Sequence, residues 1–193
     1  MGLPSGTLWA ACNVGAKKPS DYGLYFQWGD AQGYTADQVG TGEGQKKFTW
    51  ADYKWNPSGD GNTFTKYTTP GAILELEDDA AHVNMGGDWH MPTPAQINEL
   101  LNTAYTTNEW TAQDGINGRL FTSKNNGKSI FIPAAGNAWD GSVQSSGGNG
   151  IVLSSVLNTD YVSYGQGLYF SSGYVSLSRR VRYFGLSVRG VIG

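Results

Sequence analysis

Five tyrosines, Tyr161, Tyr164, Tyr169, Tyr174 and Tyr183, crowd into residues 161–184, interleaved with Ser163, Ser171, Ser176, Ser178, Arg180, Arg182 and Phe184. Their shared chemistry is recognition rather than catalysis. Tyr supplies a large, rigid, amphipathic contact with few rotors, Ser and Gly supply adaptable hydrogen bonds, and Arg supplies forked donors. The period-two rule for strands places Leu168 and Phe170 on one face and Tyr169 and Ser171 on the other. After a turn at Ser172-Gly173, Val175 and Leu177 oppose Tyr174, Ser176 and Ser178. The polar face continues into Arg180, Arg182, Tyr183 and Phe184, and Tyr161, Ser163 and Tyr164 precede it in a Gly-rich loop. The apolar face wants a core, and the polar face is a candidate binding surface. The same residue types also suit an ordinary solvated strand.

Other reactive side chains are sparse. Glu75, Glu77, Asp78 and Asp79 cluster oxygens of the kind calcium takes, but the EF-hand spacing is absent, and a short helix over Leu76–Gly87 with Asp78 and Asp79 near its start explains them as well. His82 and His90 are too few for a histidine metal cluster. The single cysteine, Cys12, excludes an intrachain disulfide and a Cys-rich zinc site, and its apolar strand setting predicts an inert thiol. No nucleophile and base pair up. The expectation is a protein that is not an enzyme, with no cofactor and no metal.

The chain's 193 residues fit one domain, with 13% aromatic and only 15% charged residues, values that exclude disorder. A formal charge of −3 gives no electrostatic reason to expect nucleic acid, no apolar run reaches membrane length, and Met1-Gly2-Leu3-Pro4 does not read as a signal peptide.

The elements that must position the tail read as follows. Thr7–Val14 predicts a first strand, closed by Gly15. Ser20 and Asp21 predict a cap for a short helix through Tyr22, Leu24, Tyr25, Phe26 and Trp28, stopped at Gly29. Residues 30–69 read as a long packed insertion anchored by Trp50, Tyr53, Trp55 and Tyr67. Thr93-Pro94-Ala95-Gln96 is a capping box with Pro at the first helical position, and Ile97, Leu100, Leu101 and Ala104 form the buried stripe that follows. Asn126-Gly127 predicts a hairpin between Gly118–Ser123 and Ser129–Ile132. Ala134-Ala135-Gly136 is small enough for backbones to pass closely. Leu186–Val191 alternates again, with Leu186 and Val188 inward. Two helices with short antiparallel strands and long loops make an α+β domain.

A family likeness then enters through specific strings: Gly2-Leu3-Pro4-Ser5-Gly6-Thr7-Leu8-Trp9-Ala10-Ala11-Cys12-Asn13-Val14-Gly15-Ala16, Tyr25-Phe26-Gln27-Trp28-Gly29, Glu77-Asp78-Asp79-Ala80-Ala81, Gly87-Asp88-Trp89-His90-Met91-Pro92-Thr93, Phe131-Ile132-Pro133-Ala134-Ala135-Gly136 and Ser187-Val188-Arg189. Together they resemble the Fibrobacter succinogenes major paralogous domain family. The resemblance implies a C-type lectin fold of the formylglycine-generating-enzyme variety, with the first and last strands paired near the termini. The tail, 137–191, further resembles the variable region of diversity-generating retroelement target proteins, in which error-prone copying of template adenines diversifies Asn codons. Asp140, Tyr161, Ser163, Tyr164, Tyr169, Ser171, Tyr174, Ser176, Ser178, Arg180, Tyr183 and Phe184 are the ligand-binding positions this implies, with Val143 and Gln144 as additional candidates, Val143 equally suited to packing. The implied function is a hypervariable, adhesin-like receptor for a protein or glycan on a cell surface, located on a cell or virion surface, with no nucleic acid and no membrane insertion.

Alternatives within the same likeness are a non-diversified surface or fimbrial domain and a calcium-dependent glycan lectin. The lectin's Glu-Pro-Asn and Trp-Asn-Asp tripeptides are missing, and Trp139-Asp140 is a partial echo. The formylglycine-generating relatives imply an oxidation that needs paired reactive cysteines, which a lone Cys12 cannot supply.

Overall fold

A computed structural model describes residues 1–193. In chain order its elements are β1 (Leu8–Trp9), β2 (Tyr25–Phe26), α1 (Ala80–Met85), α2 (Pro94–Leu101), β3 (Thr106–Gln113), β4 (Ile116–Ser123), β5 (Ser129–Pro133), β6 (Asn137–Trp139), β7 (Ser142–Gln144), β8 (Asn149–Leu157), β9 (Tyr164–Ser171), β10 (Val175–Val181), β11 (Leu186–Ser187) and β12 (Val191–Ile192). The architecture is mixed α and β, mostly sheet, with two helices and no closed barrel.

The tail builds the central sheet, in the order β10-β9-β8-β11-β2. All neighbours run antiparallel except β8 and β11, which run parallel at Ser187 and Val152. One face of β8 sends Ile151 and Leu153 into a core with Trp28, Met91 and Val188, while Val152 with Leu168 and Phe170 of β9 packs on Ile97 and Leu100 of α2. Covered on both sides, β8 buries Gly150 to Ser155 in succession, the apolar Ile151–Leu153 followed by Ser154 and Ser155, and shows no alternation. The termini close the body, with Leu8 opposite Ile192 and Trp9 opposite Val191.

Local signals place α2 as expected: Thr93 Oγ1 accepts from the Gln96 amide at 3.2 Å, and Gln96 Oε1 accepts from the Thr93 amide at 2.9 Å. The stripe is shorter than expected, because the helix ends at Leu101 and Ala104 lies exposed in the following turn. The hairpin at Asn126-Gly127 forms between β4 and β5, with Gly127 at φ 69°. A Cβ on Gly136 would stand 2.0 Å from the Gln144 carbonyl oxygen, so the close backbone approach at this turn requires glycine.

Three expectations fail. The Thr7–Val14 strand shrinks to Leu8–Trp9, and Cys12 lies half-buried in a bend. Ser20 to Gly29 is not helical: the Asp21 carboxylate accepts from the Lys17 and Lys18 amides behind it, and Tyr25 and Phe26 pair with β11. Tyr25, Phe26 and Trp28 are all buried, so their spacing reports a segment enclosed on every side rather than one helical stripe. Leu76–Gly87 divides into a 3-10 turn, Leu76–Asp78, and α1, with Asp79 as the cap accepting from the His82 amide at 2.9 Å and Gly86 at φ 74° as the stop.

The insertion carries only two 3-10 turns, Ala36–Gln38 and Trp50–Asp52. Side chains hold it. The Asp52 carboxylate accepts from the amides of Lys47, Phe48 and Thr49 at 2.8–3.0 Å, and the Asp60 carboxylate accepts from Asn56 and Thr63 side chains at 2.9 and 2.6 Å. These bonds hold the Asp60 carboxyl well below its usual range, the Thr63 hydroxyl contributing most. Phe48, Tyr53 and Tyr67 are buried as anchors.

Candidate binding surface

The register of β9 and β10 decides which tail side chains meet. Ser176 lies opposite Tyr169, Ser178 opposite Gly167 and Arg180 opposite Gly165. These residues, with Ser171 and Tyr174, share one face at the outer edge of the sheet, as the alternation predicts. Tyr169 and Tyr174 have ring centroids 5.2 Å apart, and the Arg180 guanidinium lies 4.6 Å from the Tyr169 centroid. Burial lowers the Arg180 pKa, and the two phenols counter it. Arg180 Nη1 donates to Ser178 Oγ at 2.9 Å.

A second group forms where Tyr161 and Tyr164 meet edge to face at 6.0 Å, with the Arg179 guanidinium 4.7 Å from the Tyr161 centroid and 5.4 Å from that of Tyr164. Tyr164 opens β9 rather than ending a loop, and in that strand it shares parity with Leu168 and Arg179's partner Gln166. It therefore faces the opposite side of the sheet from Tyr169. The expected single face is split across the strand edge.

A third group joins the tail to the insertion. Tyr183 meets Trp50 at 4.8 Å and Phe184 at 5.0 Å; Phe184 stacks on Trp139 at 5.8 Å with planes 16° apart; Trp50 also meets Phe64 at 5.5 Å. Burial foremost, then the charges of Asp140 and Tyr164, raise the Tyr183 pKa. Asp140 is exposed at φ 49° in the turn between β6 and β7. Val143 packs against the core of Tyr25 and Phe48, so it is a packing residue.

Arg182 departs from expectation most. It is fully buried, not outward, because β10 ends at Val181 and strand parity no longer applies. Its Nε donates to the Tyr53 hydroxyl, Nη1 to the carbonyls of Tyr67 and Val162, and Nη2 to that of Lys66, at 2.8–3.2 Å. The guanidinium also lies 4.4 Å from the Phe64 centroid. It fastens the insertion to the base of the tail.

Comparison with protein families, curated proteins and solved structures returns no match.

Trp50, Phe64, Trp139 and Arg179 belong to the surface, and sequence reasoning did not place them there. Trp50 and Phe64 sit in an aperiodic insertion, and Arg179 has inward parity on a strand whose outer edge is open.

The other reactive clusters are internally satisfied. Glu75, Glu77 and Asp78 bring their oxygens within 4.8 Å of one another, but Lys66 Nζ sits among them at 2.7, 3.2 and 2.6 Å. Those carboxylates, Asp78 foremost, raise the Lys66 pKa. Asp78 is almost wholly buried; burial pushes its pKa up, and Lys66 and Lys54 more than reverse this. His82 Nδ1 and His90 Nδ1 lie 3.2 and 2.9 Å from the Trp89 and Met91 carbonyls, structural roles as expected.

Proposed function

We propose that this chain is a hypervariable ligand-binding protein of the diversity-generating retroelement type, displaying a varied surface on a C-type lectin scaffold of the formylglycine-generating-enzyme variety. One observation carries the reading. All twelve candidate positions are exposed or half-buried, while Gly165, Gly167, Leu168, Phe170 and Arg182 between them are buried; Val162, Gln166, Val175, Leu177 and Val181 are half-buried and Arg179 is exposed. Side chains that contribute little to folding are the ones a protein can exchange freely.

The surface binds and performs no chemistry in this reading. It acts on a cell or virion exterior, with a protein or glycan of another cell as ligand, and without nucleic acid, cofactor or membrane insertion.

Sequencing the gene and its flanking DNA across many isolates tests this. The expected result is substitution concentrated at the twelve codons, with a near-copy of the final segment differing only at template adenines beside a reverse transcriptase gene. Substitutions spread evenly over buried codons such as those for Leu168 and Arg182, with no such copy, would return the chain to an undiversified surface domain.

A further inference from the structure

We propose that β10 binds an extended acidic peptide segment of the partner along its open edge, with Arg179 and Arg180 as two guanidinium forks on either side of the strand. The inference rests on the binding-surface reading and adds the partner's chemistry.

Every ion pair in the molecule is made by a lysine, and none of the five arginines has a carboxylate within 4.0 Å. Three arginines are absorbed internally. Arg119 donates to Asn108 and the Ser171 carbonyl, Arg189 to Asn13 and the Phe131 carbonyl, and Arg182 to the insertion. Arg179 and Arg180 are left at the surface. The Arg179 guanidinium donates to nothing in the chain, and Arg180 uses only Nη1, to Ser178 Oγ and the Arg179 carbonyl. Each is instead held against tyrosine rings at 4.6–5.4 Å. A guanidinium fixed by stacking keeps its N–H edge free for a carboxylate, with part of the ordering cost already met.

The charge distribution agrees. Residues 137–193 contain four arginines, two aspartates and neither lysine nor glutamate, a net of +2; the whole chain is −3, so the remainder is −5. Of these, Arg182 and Arg189 are buried, so the accessible charges of the segment are Arg179 and Arg180, side by side on β10, against Asp140 and Asp160, which lie outside that strand.

The strand geometry selects the occupant. β10 is the terminal strand of its sheet, with β9 on one side and no strand on the other. Consecutive residues of a strand point to opposite faces, so the two forks flank the open edge. An extended peptide added to that edge alternates with the same period, and adjacent acidic residues on it would meet one fork each. A polysaccharide lacks both the backbone pairing groups and this alternation.

A random peptide library displayed on phage, selected on the intact protein, provides the test. The expected result is enrichment of adjacent Asp/Glu pairs, with the synthetic peptides losing about tenfold or more in affinity for an R179Q/R180Q variant. The same peptides should weaken as salt rises, and polygalacturonate at matched carboxylate concentration should fail to compete. Recovery of only acid-free peptides, of none, or of peptides that bind R179Q/R180Q unchanged would overturn the inference. Effective competition by polygalacturonate would also overturn it, by assigning the forks to an acidic glycan. Peptides that lose affinity for a Y169A/Y174A/Y183A variant but not for R179Q/R180Q would sink the acidic-partner inference alone, whereas peptides indifferent to both variants would sink the binding surface with it.

Discussion

Arg182 Nε donates to the Tyr53 hydroxyl at 2.8 Å, joining residues 129 positions apart, and the same hydroxyl donates to the Trp28 carbonyl at 2.7 Å. Burial lowers the guanidinium's pKa, opposed by Tyr53 and Tyr67, so the charge is retained on the strength of its hydrogen bonds. Tyr53→Phe should cost about 1–3 kcal/mol, because it strands a buried donor and a buried carbonyl. Arg182→Leu should cost more, about 3–5 kcal/mol, since several carbonyls lose their donor at once. For a chain of this size each kcal/mol lowers Tm by about 2–4 °C. Arg180→Ala, two residues away, should stay within about 0.5 kcal/mol. Thermal unfolding of the three variants checks the order; an Arg182 variant no worse than the Arg180 variant contradicts the buried anchor.

Replacing Tyr169, Tyr174 and Tyr183 together by Ala should leave Tm within a few degrees and abolish binding to whatever peptide or surface ligand is selected. Tyr174 is 57% exposed, whereas Tyr169 packs half-buried against the main core and Tyr183 leans on Trp50, so most of the loss in stability should come from those two. Single Ala variants measured by calorimetry separate these contributions, and a triple variant that fails to fold would mark the rings as core.

Lys66 does the work a cation would do among Glu75, Glu77 and Asp78. Chelators should therefore leave the wild-type Tm unchanged. Lys66→Ala should lower Tm in metal-free buffer and make it rise by a few degrees in millimolar calcium, because three carboxylates then face each other uncompensated. A calcium-dependent wild-type Tm would contradict this assignment.

Above pH 10 the protein should lose stability. Burial raises the Tyr25 phenol from 10.0 to about 12, and burial with its Asp78 contacts raises Tyr67 similarly. A raised folded value means that stability is complete below pH 10 and is lost as pH climbs toward 12; for the buried Tyr25 this is on the order of 3 kcal/mol. Arg189 opposes this. Burial lowers its value from 12.5 to about 10, so above pH 10 the unfolded chain binds more protons there and the folded state gains. Burial lowers Lys46, Arg119, Arg180 and Arg182 in the same opposing sense, but from ordinary values above the phenols' 10.0, so the phenols lead as pH passes 10, with Tyr34, Tyr53 and Tyr183 raised as well. Tyr25→Phe should start at a lower Tm, having lost the 2.8 Å bond to the Ala135 carbonyl, yet fall less steeply with pH. Melting curves at steps of pH measure both effects.

Elements fixed by neighbours in sequence were legible: the Thr93 cap, the Asn126-Gly127 turn and the alternation of Leu168 to Ser178 each state their own geometry. Elements fixed by distant contacts were not. β8 hides because both of its faces are covered, and β3 went unassigned although Asp114-Gly115 marks its turn. Tyr22 to Trp28 mimics a helix because a segment buried on all sides imitates any period. Within the surface, parity placed Tyr169, Ser176 and Arg180 correctly but failed at Arg182, where the chain leaves the strand, and Tyr164, read as part of the preceding loop, instead opens β9. The insertion's rings had no signal beyond their type, since Asp52 and Asp60 hold that backbone through side chains.

The burial of Arg182 between the half-buried Arg180 and Tyr183 sets a limit on any mutational engine acting on this gene. Of four consecutive codons, the first and last tolerate randomisation while the third encodes the clamp beneath them. An adenine at the first position of that codon in the template would commit a fixed share of every generation's repertoire to chains without the clamp, whereas a third-position adenine after CG changes nothing. A lineage that diversifies this tail should accordingly spell Arg182 with one of the four CGN codons and avoid AGA and AGG.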